Sequence, residues 1–136
     1  MSIAPQFTNS PNNTMAVFTG IDLTDRVDWR AGDNGGILRR IYVRAVADQA
    51  VHARISMKIG GAIMPVAVVD IPPIPTGDVG TDNTPMTNIL NSDVFPGVDV
   101  TVDGLPFEAD DGVRVTLAAG LDDGETITVI CMGGDF

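Results

Sequence analysis

The stretch VHARISMKI, Val51 to Ile59, alternates without an error, with Val51, Ala53, Ile55, Met57 and Ile59 on one side and His52, Arg54, Ser56 and Lys58 on the other. A repeat of two sends successive side chains to opposite faces of a pleated strand, so this stretch reads as a β-strand with one face in a core. Upstream, ILRRIYVRAV (Ile37 to Val46) sets Ile37, Arg39, Ile41, Val43 and Ala45 against Leu38, Arg40, Tyr42, Arg44 and Val46, with apolar odd positions from Val43 on. Only a short turn at Asp48 and Gln49 separates the two stretches, which predicts an antiparallel hairpin.

Working outward, Gly60 and Gly61 break the chain before a third run, Ala62 to Asp70. Pro65 lies inside it and predicts an edge strand or a bulge, because proline has no N–H for a ladder. Near the C-terminus, Gly112 to Ala118 and Thr126 to Cys131 flank the turn residues Gly120 to Gly124 and predict a second hairpin. Shorter strands are predicted at Met15 to Thr19, Arg26 to Arg30, Val98 to Val102 and Leu105 to Phe107, and a helical turn or bridging segment at Met86 to Phe95. The stretch Ile71 to Pro85 reads as a long loop of the kind that often binds something. No helical period runs for ten residues. Short strands about 8 to 12 residues apart predict one all-β domain, a two-sheet sandwich or a barrel.

Composition supports this. The 136 residues are 44% hydrophobic but only 5% aromatic, with 15 Gly and 9 Pro. The apolar mass is largely β-branched and aliphatic, which suits half-buried pleated surfaces, and the Gly and Pro supply turns. Met1 to Thr14 is rich in Asn, Pro and Ser and shows no period, so the expected division is an arm over 1–14 and the β domain over 15–136. Such an arm is either a frayed end or a segment that orders on a neighbouring subunit through Ile3 and Phe7. No signal-peptide pattern and no apolar run of about 20 residues is present, so synthesis in the cytoplasm is expected and a membrane is not an expected partner.

The formal net charge is −10 and the isoelectric point about 4.1, which disfavours nucleic acid as a partner. Cys131 is the one cysteine, which excludes an internal disulfide and a cysteine-based zinc site, and it reads as a small core residue. His52 is the one histidine and lies on the polar side of its strand, so no nucleophile-and-base pair is indicated. Asp110 and Asp111 before Gly112, and Asp122 and Asp123 before Gly124, are the remaining catalytic candidates, as a glycosidase needs two carboxylates across a cleft. Asp followed by Gly is also turn chemistry, because both tolerate positive φ. A calcium ion in these acidic turns stays open, though EF-hand spacing is absent. No catalytic residue, metal ligand or cofactor is assigned.

Charge is unevenly placed. Residues 1–60 hold seven of the eight basic side chains and five acids, whereas residues 61–136 hold Arg114 and thirteen acids. In the expected hairpin Arg54 and Lys58 share one strand face and Arg40 and Arg44 share a face of the neighbouring strand. These four read either as a solvated surface or as a basic strip for docking to an acidic surface.

The runs Gly36 to Val43, Ala53 to Ile59, Pro65 to Pro73, Leu105 to Leu117 and Gly124 to Phe136 resemble the small decoration, or cement, proteins of tailed-bacteriophage heads. The resemblance implies a jelly-roll-like sandwich that forms a homotrimer at symmetry axes, clamps the major capsid protein and resides on the virion surface. On it, Ile3, Phe7, Arg40, Arg44, Arg54 and Lys58 are the expected contacts to capsid or to a neighbouring subunit. The alternative is a glycan-binding module of a phage tail or cell-surface assembly, using the 71–85 loop and the acidic turns.

Overall fold

Alternating apolar residues dictate strands, and a computed structural model shows how they pair; it describes residues 10–19, 26–78, 86–91, 93–95, 104–117, 121–122 and 124–136. The strands are β1 (Ser10–Thr19), β2 (Arg26–Arg30), β3 (Gly36–Val46), β4 (Val51–Ile59), β5 (Ala62–Ile71), β6 (Pro73–Ile74), β7 (Thr87–Asn88), β8 (Leu105–Phe107), β9 (Gly112–Leu117) and β10 (Thr126–Asp135). Among the described residues the one helical element is a 3-10 turn at Thr76–Asp78. No helix there is long and apolar enough to cross a membrane.

The strands form two sheets packed as a sandwich. Sheet I runs β1-β10-β3, with β6, β7 and β8 all attached to β3, and sheet II runs β2-β9-β4-β5. The first strand pairs with the tenth, the second with the ninth, the third with the eighth and the fourth with the fifth. A chain doubled back on itself and rolled across two sheets in this way is a jelly roll.

Both expected hairpins are corrected by this topology. β3 and β4 lie in opposite sheets, as do β9 and β10. Their apolar faces meet across the core instead of lying side by side: Ile41, Val43, Ala45, Ile127 and Val129 come from sheet I, and Val51, Ala53, Ile55, Val113 and Val115 from sheet II. Alternation tells which face of a strand is buried and leaves open which strand lies beside it. The local mark of a tight hairpin is a pair of residues with positive φ. Gly60 and Gly61 have it, at 58° and 85°, and they join β4 to β5 in the antiparallel hairpin that does form.

Pro65 sits where its missing N–H predicts, in edge strand β5 at a register shift opposite Ile55 and Ser56. A second shift explains the imperfect alternation of β3. Met132 pairs with Arg40 and Gly133 with Leu38, leaving Arg39 without a partner in β10. The extra residue flips the phase, so Leu38 and Ile41 both reach the core.

β1 begins at Ser10, five residues inside the segment expected as an arm. Its polar run is strand because its side chains and carbonyls find partners. Asn12 Nδ2 donates to the Arg30 carbonyl at 2.7 Å and to Asp135 Oδ1 at 2.9 Å, while the Asn12 carbonyl accepts from Trp29 Nε1 at 2.8 Å. Ile3 and Phe7 lie outside the described residues, as does the strand expected at Val98 to Val102. The first half of the expected 71–85 loop is tied down. Ile71 and Ile74 are buried, β6 pairs with the end of β3, and Thr76 donates its N–H and hydroxyl to the Asp48 carboxylate.

The core centres on Trp29, whose ring meets Phe107 with centroids 5.8 Å apart. Two glycines make room for it. A Cβ on Gly133 would lie 2.8 Å from the indole, and one on Gly112 would lie 1.9 Å from the Trp29 carbonyl oxygen. Cys131 is buried in this core, as its composition-based reading expects.

Candidate functional site

The fold sorts charge by location. All eight Arg and Lys residues fall in strands, β2, β3, β4 and β9, whereas of the eighteen acids only Asp28, Asp70 and Asp135 fall in described strands. The cations therefore stand on sheet faces, and described acids such as Asp33, Asp48, Glu108, Asp110, Asp111, Asp122 and Glu125 stand at connections between strands.

The outward face of sheet II is a grid set by register. One row is Arg26, Thr116, Arg54 and Val68; the next is Asp28, Arg114, Ser56 and Pro65; the third is Arg30, Gly112, Lys58 and Ile63. His52 and Asp70 pair at its margin. Five cations (Arg26, Arg30, Arg54, Lys58, Arg114) thus face two carboxylates, Asp28 and Asp70. Arg114 is held in a two-pronged pair with Asp28, Nε to Oδ1 at 2.7 Å and Nη2 to Oδ2 at 3.2 Å. That guanidinium holds the Asp28 carboxyl below its ordinary range, and the charge-assisted bonds raise Arg114 in turn. Arg26 Nε also lies 3.7 Å from Asp28 Oδ2, so Arg30, Arg54 and Lys58 are the cations of this face without a carboxylate partner among the described residues. Beside Arg30 and Lys58 a cavity of about 370 Å³ opens toward Asn12 and Thr14.

The outward face of sheet I is different. Its rows read Asn13, Met132, Arg40; then Met15, Ile130, Tyr42, Asn88; then Val17, Thr128, Arg44. Met15, Val17 and Met132 are exposed. A shallow cavity of about 380 Å³ lies among Pro11, Asn13, Arg39, Arg40, Tyr42 and Met132. No carboxylate appears in these rows. Arg44 Nε is buried with no partner among the described residues.

The four predicted cations therefore do not form one strip. Arg54 and Lys58 face outward from sheet II, and Arg40 and Arg44 face outward from sheet I, on the opposite side of the sandwich. Adjacency required the β3–β4 hairpin, which does not form. Sequence reasoning missed Arg26, Arg30 and Arg114 as companions of Arg54 and Lys58. Finding them needs the pairing of β2 with β9, whose Asp28 and Arg114 lie 86 residues apart.

The catalytic candidates are dispersed. Cys131 is in the core, where burial pushes its thiol up to about 12, and His52 is on the outer side of sheet II. Asp111 accepts from the Gly60 N–H at the tip of the β4–β5 hairpin, and Asp110 adopts a turn conformation with φ of 66°. Asp122 lies at the opposite end of β4, where its N–H donates to Glu125, which also accepts from the Asp48 N–H and the Gln49 side chain. The length of β4 separates the two groups by on the order of 25 Å, far beyond the roughly 5 to 9.5 Å of a glycosidase pair. Asp123 lies outside the described residues. Among the described residues no group of three His, Cys, Asp or Glu is placed to hold a metal ion.

No protein-family model matches the chain, and no curated protein matches it. One chain of a solved structure described as a Cyanophage Pam1 capsid asymmetric unit superposes with a TM-score of 0.44 at 11% identity, covering 100% of this chain and 94% of that one. At that distance no residue of one is assigned to a residue of the other.

Proposed function

We propose that this chain is a structural protein of a phage virion that binds the assembled capsid from outside and stabilises it. The observation that carries the reading is the outward face of sheet II: five cations on one sheet face in a chain of net charge −10. A rigid sheet that concentrates one sign of charge suits docking on an extended acidic surface. The jelly-roll order agrees with what the cement-protein resemblance implies, though that fold also serves lectins and cupins, so role rests on the surface. Arg54 and Lys58, joined by Arg26 and Arg30, are the contacts to the major capsid protein. Arg40 and Arg44 rim the opposite face, on the side of a neighbouring subunit, and Ile3 and Phe7 remain the anchors of the 1–9 segment. Association with copies of itself, a trimer in the resemblance, multiplies modest docking contacts.

The test is co-sedimentation with assembled shells across a salt series. Saturable binding that weakens with salt and is lost in Arg54→Glu/Lys58→Glu is the expected result. Binding unaffected by that reversal overturns the assignment of the face. Retention of a duplex DNA in place of shells overturns the partner.

A further inference from the structure

The inner face of sheet I turns polar at one end of β1. Phe18 is buried and Ala16 packs against the core, and a repeat of two puts Thr14 and Asn12 on the same side. Those two are half-buried between exposed neighbours, and they face the edge of sheet II. Asn12 Nδ2 donates to the Arg30 carbonyl, and Trp29 Nε1 donates back to the Asn12 carbonyl. The seam between β1 and β2 is therefore latched at Asn12, and beside the latch lies the cavity of about 370 Å³.

Both sheets build its walls. Sheet I supplies Asn12 and Thr14, and sheet II supplies Asp28, Trp29, Arg30 and Lys58. Arg30 and Lys58 stand in one row with Gly112, which puts no side chain between them. Neither has a carboxylate within ion-pair distance among the described residues, whereas Asp28 is held by Arg114 and Arg26. Two unmatched cations thus line one polar hollow, whose volume falls within the roughly 300–1,000 Å³ of ligand pockets. The other walls select among anions. A phosphate group brings only acceptors and about two negative charges at neutral pH, and it would meet the Asp28 carboxylate. A peptide segment brings one charge for each acidic residue, together with backbone N–H donors that the Thr14 hydroxyl and Asp28 can accept.

We propose that the cavity at the β1–β2 seam is a recognition pocket for a short acidic peptide segment of a partner protein. An Asp or Glu carboxylate of the segment sits between Arg30 and Lys58 in charge-assisted bonds, and its backbone N–H donates to the Thr14 hydroxyl. The inference rests on the docking reading for its partner, the capsid protein, and gives that docking a point of insertion. Because the walls come from both sheets, the bound segment also ties β1 to β2 and stabilises the folded chain.

Trp29 is the one tryptophan, so its indole N–H is a built-in reporter of the latch. The full chain is titrated at low salt with a capped tri-glutamate peptide and, separately, with inorganic phosphate. A saturable shift of the Trp29 indole N–H resonance with the peptide, and a much weaker one with phosphate, is the expected result. Lys58→Gln and Arg30→Gln should each weaken the peptide about tenfold, as loss of one charge-assisted contact implies. Thr14→Glu brings a carboxylate into the pocket from sheet I; it is expected to fold, by circular dichroism, and to abolish the shift. Arg54→Gln, outside the pocket, should change the affinity far less. No shift, phosphate binding as tightly as the peptide, or a shift that all three pocket variants leave unchanged overturns the proposal. Self-association of the full chain that Thr14→Glu abolishes overturns the partner, since a second copy then fills the pocket. Assembled shells separate the two readings. Shell binding that needs Arg54 but survives Thr14→Glu ends the pocket and keeps the docking. A peptide shift without shell binding keeps the pocket and ends the capsid as its partner.

Discussion

β3 and β4 carry similar patterns, apolar residues interspersed with three arginines on one and an arginine and a lysine on the other, yet they end in unlike surfaces. On sheet II, Arg54 and Lys58 join Arg26, Arg30 and Arg114 into a cationic field. On sheet I, Arg40 and Arg44 stand beside Ile130, Met15, Val17 and Met132 at the border of an uncharged, partly apolar field. The lesson is that a strand contributes one column of a surface. Its neighbours, chosen by long-range pairing, decide whether that column becomes a docking field or a rim.

The contrast holds only while the two sheets stay bonded through the core, and the largest expected effect attacks that bond. Trp29→Ala empties the space that Gly133 leaves for the indole and should cost about 3–5 kcal/mol in urea unfolding. It should abolish shell binding as well; binding that survives the loss of the core would mean that sheet II folds without sheet I. Next in size, Arg54→Glu/Lys58→Glu should weaken shell binding at least about tenfold near 0.15 M salt while moving stability by no more than about 0.5 kcal/mol. Arg40→Glu on the other face should leave shell binding as it was. Equal losses from both variants, in the same sedimentation assay, would erase the distinction.

A subtler effect concerns Glu125, which ties both crossings between the sheets. Its carboxylate accepts from Asp48 and Gln49 after β3 and from Asp122 before β10, and the backbone bonds from Asp48 and Asp122 hold it below its ordinary range. A carboxyl lowered in the folded state stabilises fully above its unfolded value, and that contribution is lost as pH falls through the folded value. Glu125→Gln should therefore lower the unfolding midpoint at pH 7 and flatten its decline in acid. An unchanged acid limb would show the carboxylate contributes nothing there. The smallest effect belongs to Asp28→Asn. The pair with Arg114 is partly exposed, with side chains 33% and 20% accessible, so its loss should cost only about 0.2–1 kcal/mol. The same change frees a cation on the sheet II face, so shell binding at low salt should tighten slightly. Stability and docking moving in opposite directions is the signature to seek in paired unfolding and sedimentation measurements.

Much of the fold was legible because local physics decides it. The error-free alternation of Val51 to Ile59 marked β4 and its buried side, and Pro65 marked both an edge and a bulge. Cys131 was readable as core. The pairing was not legible: a short connection at Asp48 and Gln49 fits either a hairpin or a crossing, and only the positive-φ glycines Gly60 and Gly61 carried a local hairpin signal. The start of β1 was hidden because Pro11, Asn12 and Asn13 have loop composition, and their partners Arg30 and Asp135 lie far along the chain. For the candidate site, Arg54 and Lys58 were visible as one column. The other columns were invisible, since nothing local ties Asp28 to Arg114.

The pairing of β1 with β10 sets the order of events during synthesis. β1 leaves the ribosome about a hundred residues before β10, the strand it bonds to. At about 5–20 residues per second the interval is on the order of ten seconds. Over that time the uncharged edge and its Met15 and Val17 have no sheet to belong to. The β4–β5 hairpin, whose partners are adjacent in the chain, is the one major pairing that can form at once, so it is the natural seed for sheet II. Sheet I closes only when β10 enters between β1 and β3, which makes this sheet slow to mature and vulnerable to sticking to its neighbours before then.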